Sequence, residues 1–177
     1  MANQRLNVLV TGASAGIGKA FADVFAKYGF NLILTARRED RLRDVADEMA
    51  RKHHVETSVI AADLADPEAP RRLVNEIASR GLKVDALVNN AAGNFIARSE
   101  TLSSRAVNAV LGIVLHGSAH ATLACGRRWI AEGRPGNVLS IVTSYAWTGS
   151  AYVVPSAMAK AGVLAMTRSL AVEWGPR

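Results

Sequence analysis

The 177-residue chain has a single cysteine, Cys125. That excludes an internal disulfide framework and suits a reducing compartment, so a cytoplasmic protein is expected. Inside a helical stretch, Cys125 reads as a small buried hydrophobe rather than a reactive thiol. No apolar run approaches the roughly 20 residues that a membrane span needs, which argues against a transmembrane protein. The start, Met1 to Asn7, goes straight into a strand-like run and lacks the apolar stretch and cleavage site of a signal peptide. Internal repeats, low-complexity tracts and linkers are absent too, so residues 1–177 read as one domain. Acidic residues are in the minority, 15 against 21 basic ones, for a formal net charge of +6. Such a balance suits an anionic ligand. Nucleic acid is not expected as a partner, because the basic residues are scattered and no recognition motif accompanies them.

What is present is an ordinary globular composition, 50% apolar and 20% charged. Short apolar runs alternate with helical patterns. Strands are predicted over Leu6–Val10, Asn31–Thr35, Thr57–Ala61, Asp85–Asn89 and Asn137–Val142. Helices are predicted over Ile17–Tyr28, with Ile17, Phe21, Val24, Phe25 and Tyr28 on one face, and over Glu39–Arg51. A third helix should open at Asp66-Pro67, with Asp as cap and Pro at its first position. A long one covers Ser104 to Glu132, and the last runs from Ser156 to Trp174. Strands of this length alternating with helices predict an α/β fold. The expected form is a Rossmann-like, doubly wound parallel sheet of five strands in the order 3-2-1-4-5.

Between the first strand and first helix lies Thr11-Gly12-Ala13-Ser14-Ala15-Gly16-Ile17-Gly18. Glycines let the backbone turn and approach a ligand, and the loop delivers N–H groups and a helix N-terminus to one place, an anion site. After the second strand the chain reads Thr35-Ala36-Arg37-Arg38, with no acid before Glu39. An acid there would bind a ribose 2′-hydroxyl, whereas a guanidinium matches a 2′-phosphate. NADPH is therefore the expected cofactor, with Arg37 the first choice for the phosphate and Arg38 the second.

The spacing Gly-x-x-x-Gly-x-Gly behind Thr11 resembles the short-chain dehydrogenase/reductase family. Asn89-Asn90-Ala91-Ala92-Gly93 and Asp63-Leu64 resemble two more of its segments, in the right order on the right elements. The resemblance implies that Thr11, Gly12, Ser14, Gly16, Ile17, Gly18, Arg37, Arg38, Asp63, Leu64, Asn90, Ala91 and Lys160 bind the cofactor. Most members carry Tyr-x-x-x-Lys after strand five, but here Ser156 stands four positions before Lys160. A tyrosine occurs instead at Tyr145, at the C-terminal end of strand five, while Tyr152 lies mid-loop. This arrangement, with Asn94-Phe95-Ile96 and Val153-Val154-Pro155-Ser156, resembles the 2,4-dienoyl-CoA reductases over nearly the whole chain.

That resemblance implies an NADPH-dependent reduction of a conjugated acyl-CoA thioester in fatty-acid β-oxidation. Tyr145 and Asn94 would donate hydrogen bonds to the thioester oxygen, Lys160 would hold the nicotinamide ribose, and Ser156 would contact the nicotinamide side. His116 falls near the place of a proton-relay Asn of the wider family, and reads as a solvated or packed histidine. Another short-chain reductase, using Tyr145 or Tyr152 as proton donor on a carbonyl or enoyl compound, is the alternative. A nucleotide-binding fragment without turnover is a third reading. The chain ends with its last helix, at Trp174-Gly175-Pro176-Arg177, where the family continues into a sixth strand, a lid and a seventh strand. A C-terminally shortened form is expected, with strand five as a sheet edge and self-association into a homo-oligomer.

Overall fold

A computed structural model describes residues 5–177, so the expectation about Met1–Gln4 lies outside the described residues. Strands and helices alternate as β1 (Asn7–Thr11), α1 (Gly16–Lys27), β2 (Asn31–Ala36), α2 (Glu39–His53), β3 (Thr57–Ala61), α3 (Ala69–Ser79) and β4 (Ala86–Asn89). They continue as α4 (Ser104–Leu111), α5 (Gly117–Ala131), β5 (Asn137–Ser140), α6 (Tyr145–Thr148) and α7 (Val154–Trp174). The five strands form one sheet in the order β3-β2-β1-β4-β5. Every pairing is parallel, with Val8 opposite Leu32 and Ala86, and Val88 opposite Leu139.

Alternation along the strands builds a core on each face. Val8, Val10, Leu32, Leu34 and Val88 point one way, onto Ala22 and Ala26 of α1 and Leu42, Val45 and Met49 of α2. Leu9, Ile33 and Leu87 point the other way, onto Leu73 and Ile77 of α3 and Ala121, Cys125 and Trp129 of α5. A strand apolar on both faces belongs in a parallel sheet covered by helices on both sides, which is why these runs show no polar alternation. The charged α2 follows the same logic at its ends. Glu39 and Asp40 lie in its first turn and Arg51, Lys52 and His53 in its last, matching the helix dipole.

Several expected boundaries move. Leu6 is exposed and β1 reaches Thr11 instead, which brings that threonine into the ladder beside Thr35. β4 begins at Ala86 because Asp85 turns its carboxylate back to accept from the Asn7 N–H at 2.8 Å. Pro67 does not open α3. Asp66 closes a turn by accepting from Glu68 N–H, and the helix starts at Ala69 with Pro70 in its first turn. Ile17, Val24 and Tyr28 are exposed, so the buried side of α1 is the small-residue stripe Gly18, Ala22 and Ala26. Small residues there let the helix approach β1 closely.

Ser104–Ala131 forms one 28-residue helical run, long and apolar enough by length and composition to cross a membrane. This corrects the expectation that no such segment exists. Its inner side is nonetheless spent on protein: Val110 and Val114 pack with Ala159 of α7, and Ala121, Cys125 and Trp129 pack on the sheet and α3. One turn, Gly112–His116, is π-helical. Burial pushes the Cys125 thiol up to about 12. Cys125 should therefore resist a thiol reagent at pH 8 in the folded chain and react at once in denaturant; fast reaction of the native protein would contradict this packing.

Candidate active site

The cleft opens where the strand order reverses between β1 and β4, at the carboxyl ends of the strands, as open α/β sheets require. Its volume is about 560 Å³, and it is lined from β1's loop across to α7. Thr11, the last residue of β1, is buried. Its hydroxyl donates to the Val88 carbonyl at 3.1 Å and accepts from the N–H groups of Asn90 at 2.9 Å and Ala91 at 3.0 Å. Asn90 answers with its side-chain amide, donating to the carbonyls of Thr11 at 2.9 Å and Gly12 at 3.3 Å. Two loops with no other regular pairing are thereby joined into one floor.

Glycine is needed where this floor is tightest. A Cβ on Gly18 would stand 2.3 Å from the Gly12 carbonyl oxygen, and one on Gly12, at φ 66°, would stand 2.9 Å from the Ala91 Cα. Gly16, at φ 55°, meets nothing within 4 Å and leaves its backbone bare. The loop thus presents backbone N–H groups and the N-terminus of α1 to the cleft, the arrangement that receives a pyrophosphate.

At the β2 end, Arg37 and Arg38 line the cleft, are exposed, and make none of the described ion pairs. The nearest acid, Glu39, is engaged by Arg43 one helical turn along α2. Glu39 is thus already paired. Asp63 and Leu64 line the next wall. The Asp63 carboxylate accepts from Ala65 N–H at 3.1 Å, and the Leu64 side chain is buried in the core, so Leu64 offers the cleft mainly backbone.

The other end of the cleft holds Asn94, Tyr145, Ser156 and Lys160 together. Tyr145 opens the short α6, which was not expected, and its hydroxyl lies 3.0 Å from the Ser156 Oγ. Ser156 is buried inside α7, not at its cap, because that helix begins two residues earlier at Val154. Lys160, one turn on, is buried and donates to the Ile141 carbonyl at the end of β5. Burial holds its ammonium below the usual lysine range. Of the expected site residues, only Thr11, Gly16 and Gly18 are not on the cleft wall; Thr11 and Gly18 set its shape from behind, and Gly16 is exposed beside it.

Thr143 was not singled out from the sequence. Its hydroxyl is buried without a hydrogen-bond partner, on the cleft wall two residues before Tyr145. A polar residue just past strand five was the available signal. His116 is exposed and stacks on His120 with ring centroids 6.2 Å apart, away from the cleft wall, in keeping with a solvated histidine. The Tyr152 side chain is also exposed and off the wall.

A sequence model of the family described as short chain dehydrogenase matches residues 6–177. The chain is 44% identical over 167 residues to an uncharacterised oxidoreductase of Caenorhabditis elegans, covering 94% of this chain and 53% of that one. It is 38% identical over 170 residues to a probable 2,4-dienoyl-CoA reductase of Bacillus subtilis, covering 96% and 66%. Among solved structures, a short chain dehydrogenase from Bacillus anthracis superposes with a TM-score of 0.91 at 38% identity, over 97% of this chain and 71% of that one. An alcohol dehydrogenase from Thermococcus sibiricus complexed with 5-hydroxy-NADP gives 0.89 at 26% identity, over 96% and 72%. The chain thus spans between half and two-thirds of the length of these two curated relatives, 53% and 66%.

The floor of the cleft makes a direct prediction. Thr11→Val keeps the shape but strands the N–H groups of Asn90 and Ala91, at about 1–3 kcal/mol for each stranded donor. Urea unfolding should show that loss, while Thr11→Ser, which keeps the hydroxyl, should retain most of the stability. Equal stability of the two variants would contradict the lock.

Proposed function

The chain belongs to the short-chain dehydrogenase family, and on that premise we propose that it is a reductase of conjugated acyl-CoA thioesters that uses NADPH. The observation that carries this reading is the Tyr145 hydroxyl, 3.0 Å from Ser156 and on the same cleft wall as Asn94 and Lys160. A serine hydroxyl is too weak an acid to protonate a ketone oxygen. The phenol is the stronger donor of the two hydroxyls, and Ser156 is the group that orients it.

The residues present fit a phosphorylated dinucleotide. Gly12 to Gly18 would take the pyrophosphate on backbone N–H groups, and Arg37 with Arg38 the 2′-phosphate. Asp63 and Leu64 would flank the adenine, and Lys160 would hold the nicotinamide ribose. When bound, the nicotinamide supplies a hydride to the far end of the conjugated system. Negative charge then develops on the thioester oxygen of the substrate. Tyr145 and Asn94 are the hydrogen-bond donors available for that oxygen, and donors fixed in advance stabilise such charge without reorganisation. The Lys160 ammonium, held by the Ile141 carbonyl, adds a positive potential in a partly desolvated setting.

A place in fatty-acid β-oxidation goes with this substrate class, and a cytoplasmic setting goes with a free, buried thiol. A homo-oligomer goes with membership of this family.

Titration of the unmodified chain should give tighter binding of NADPH than of NADH. Arg37→Asp, which sets a carboxylate beside the 2′-phosphate, should abolish or reverse that order. Equal affinities in the unmodified chain would count against the reading of the β2 end. Tyr145→Phe removes one oxyanion donor and should lower kcat by roughly 10²–10³ in an assay following NADPH oxidation by a dienoyl-CoA. An undiminished rate would remove Tyr145 from the proposed mechanism.

A further inference from the structure

Two non-glycine residues among the described ones have a left-handed backbone, His54 at φ 56° and Tyr152 at φ 65°. His54 is the C-cap of α2, where that conformation is common. Tyr152 caps nothing. It lies in the loop between α6 and α7, and the residue is 54% exposed, so side-chain packing does little to hold it there. An L-residue with a Cβ reaches this region only at a steric cost and stays when its surroundings over-determine it.

The contact that does so is on the backbone. The Ala97 N–H donates to the Tyr152 carbonyl at 3.0 Å. Among the described residues this is the one hydrogen bond between the loop 93–103 and the segment 142–156. Each partner sits close to a candidate donor. Ala97 follows Asn94 by one short loop, and Tyr152 precedes Ser156, on which the Tyr145 hydroxyl rests. Asn94 itself is exposed and makes none of the described hydrogen bonds, so nothing else fixes where its amide stands relative to Tyr145.

We infer that Tyr152 is a positioning residue: its left-handed turn aims its carbonyl at the Ala97 N–H and thereby holds Asn94 in place across the cleft from Tyr145 and Ser156. Its backbone, not its phenol, does this. The inference rests on the reading of Asn94 and Tyr145 as paired donors to one oxygen.

The test uses the full chain with Tyr152→Val and Tyr152→Gly. Valine, β-branched, is the worse fit to a left-handed residue, and glycine adopts it freely. Amide exchange at Ala97, followed by mass spectrometry of the 94–98 segment, should quicken about 5- to 30-fold in Tyr152→Val. It should stay at or below the wild-type rate in Tyr152→Gly. With 2,4-hexadienoyl-CoA as probe, kcat should fall in Tyr152→Val and be restored in Tyr152→Gly, with the KM for NADPH within about twofold in both. If Tyr152→Val does not fold, Tyr152→Ala takes its place with the same direction at smaller amplitude. Exchange at Ala97 that is the same in the valine, or alanine, variant and the wild type overturns the inference. So does a loss of turnover in Tyr152→Gly with exchange unchanged, since the side chain would then be the working part. Faster exchange in the valine variant of a chain whose wild-type form turns over no dienoyl-CoA supports the latch and overturns the acyl-CoA reading instead.

Discussion

The bonds exchanged by Thr11 and Asn90 are what the rest of the cleft is built upon. They cross between the ends of β1 and β4, at the point where the sheet changes direction and a crevice must open. One hydroxyl satisfies two N–H groups of the β4 loop, and one amide satisfies two carbonyls of the β1 loop. Without that exchange four part-buried backbone groups would lose these partners, and the glycine turn would lose the neighbour against which it is shaped. Gly12 and Gly18 are then forced, because the floor is too tight for any Cβ. The Asn90 side-chain amide is spent on holding backbone.

From that floor the two ends of the cleft diverge in electrostatic character. The β2 end carries two guanidinium groups with no described partner, and the acid next to them, Glu39, is already engaged by Arg43. The β5 end is drier. Ser156 and Lys160 are buried, and the ammonium faces a carbonyl rather than a carboxylate. Its charge is therefore not neutralised within the protein and remains available to an anionic species. An exposed basic end suits a phosphate that arrives from water. A half-buried phenol backed by buried Ser156 and Lys160 suits charge that develops only during reaction, because hydrogen bonds strengthen as water is excluded.

Much of this was legible in the sequence, for identifiable reasons. Strand order followed from apolar runs alternating with helices, since the two-sided burial of Leu9 against Val8 and Val10 leaves no polar positions within the strand. Tyr145 was legible from its place past strand five, whereas its company with Asn94, Ser156 and Lys160 was implied by the resemblance to the dienoyl-CoA reductases. What the sequence concealed was set by single side chains. Asp66 spends its carboxylate on a turn, which moved the start of α3 past Pro67. The helical spacing of Ile17, Val24 and Tyr28 suggested a buried face, whereas close approach to the sheet selected Gly18, Ala22 and Ala26. The apolar length of Ser104–Ala131 was hidden by its interspersed glycines and histidines. Thr143 and the backbone of Tyr152 carry no pattern at all; an unpartnered hydroxyl and a positive φ exist only in three dimensions.

The central claim is that this cleft, and no other part of the surface, receives a phosphorylated dinucleotide. Amide hydrogen exchange of the full chain with and without saturating NADPH tests it most directly. The account predicts slower exchange at residues 12–18, 37–38, 63–64 and 90–94, with the groove between α3 and α5 unchanged. Protection absent from the 12–18 loop, or centred on the groove around Arg71, His120 and Arg127, would contradict it.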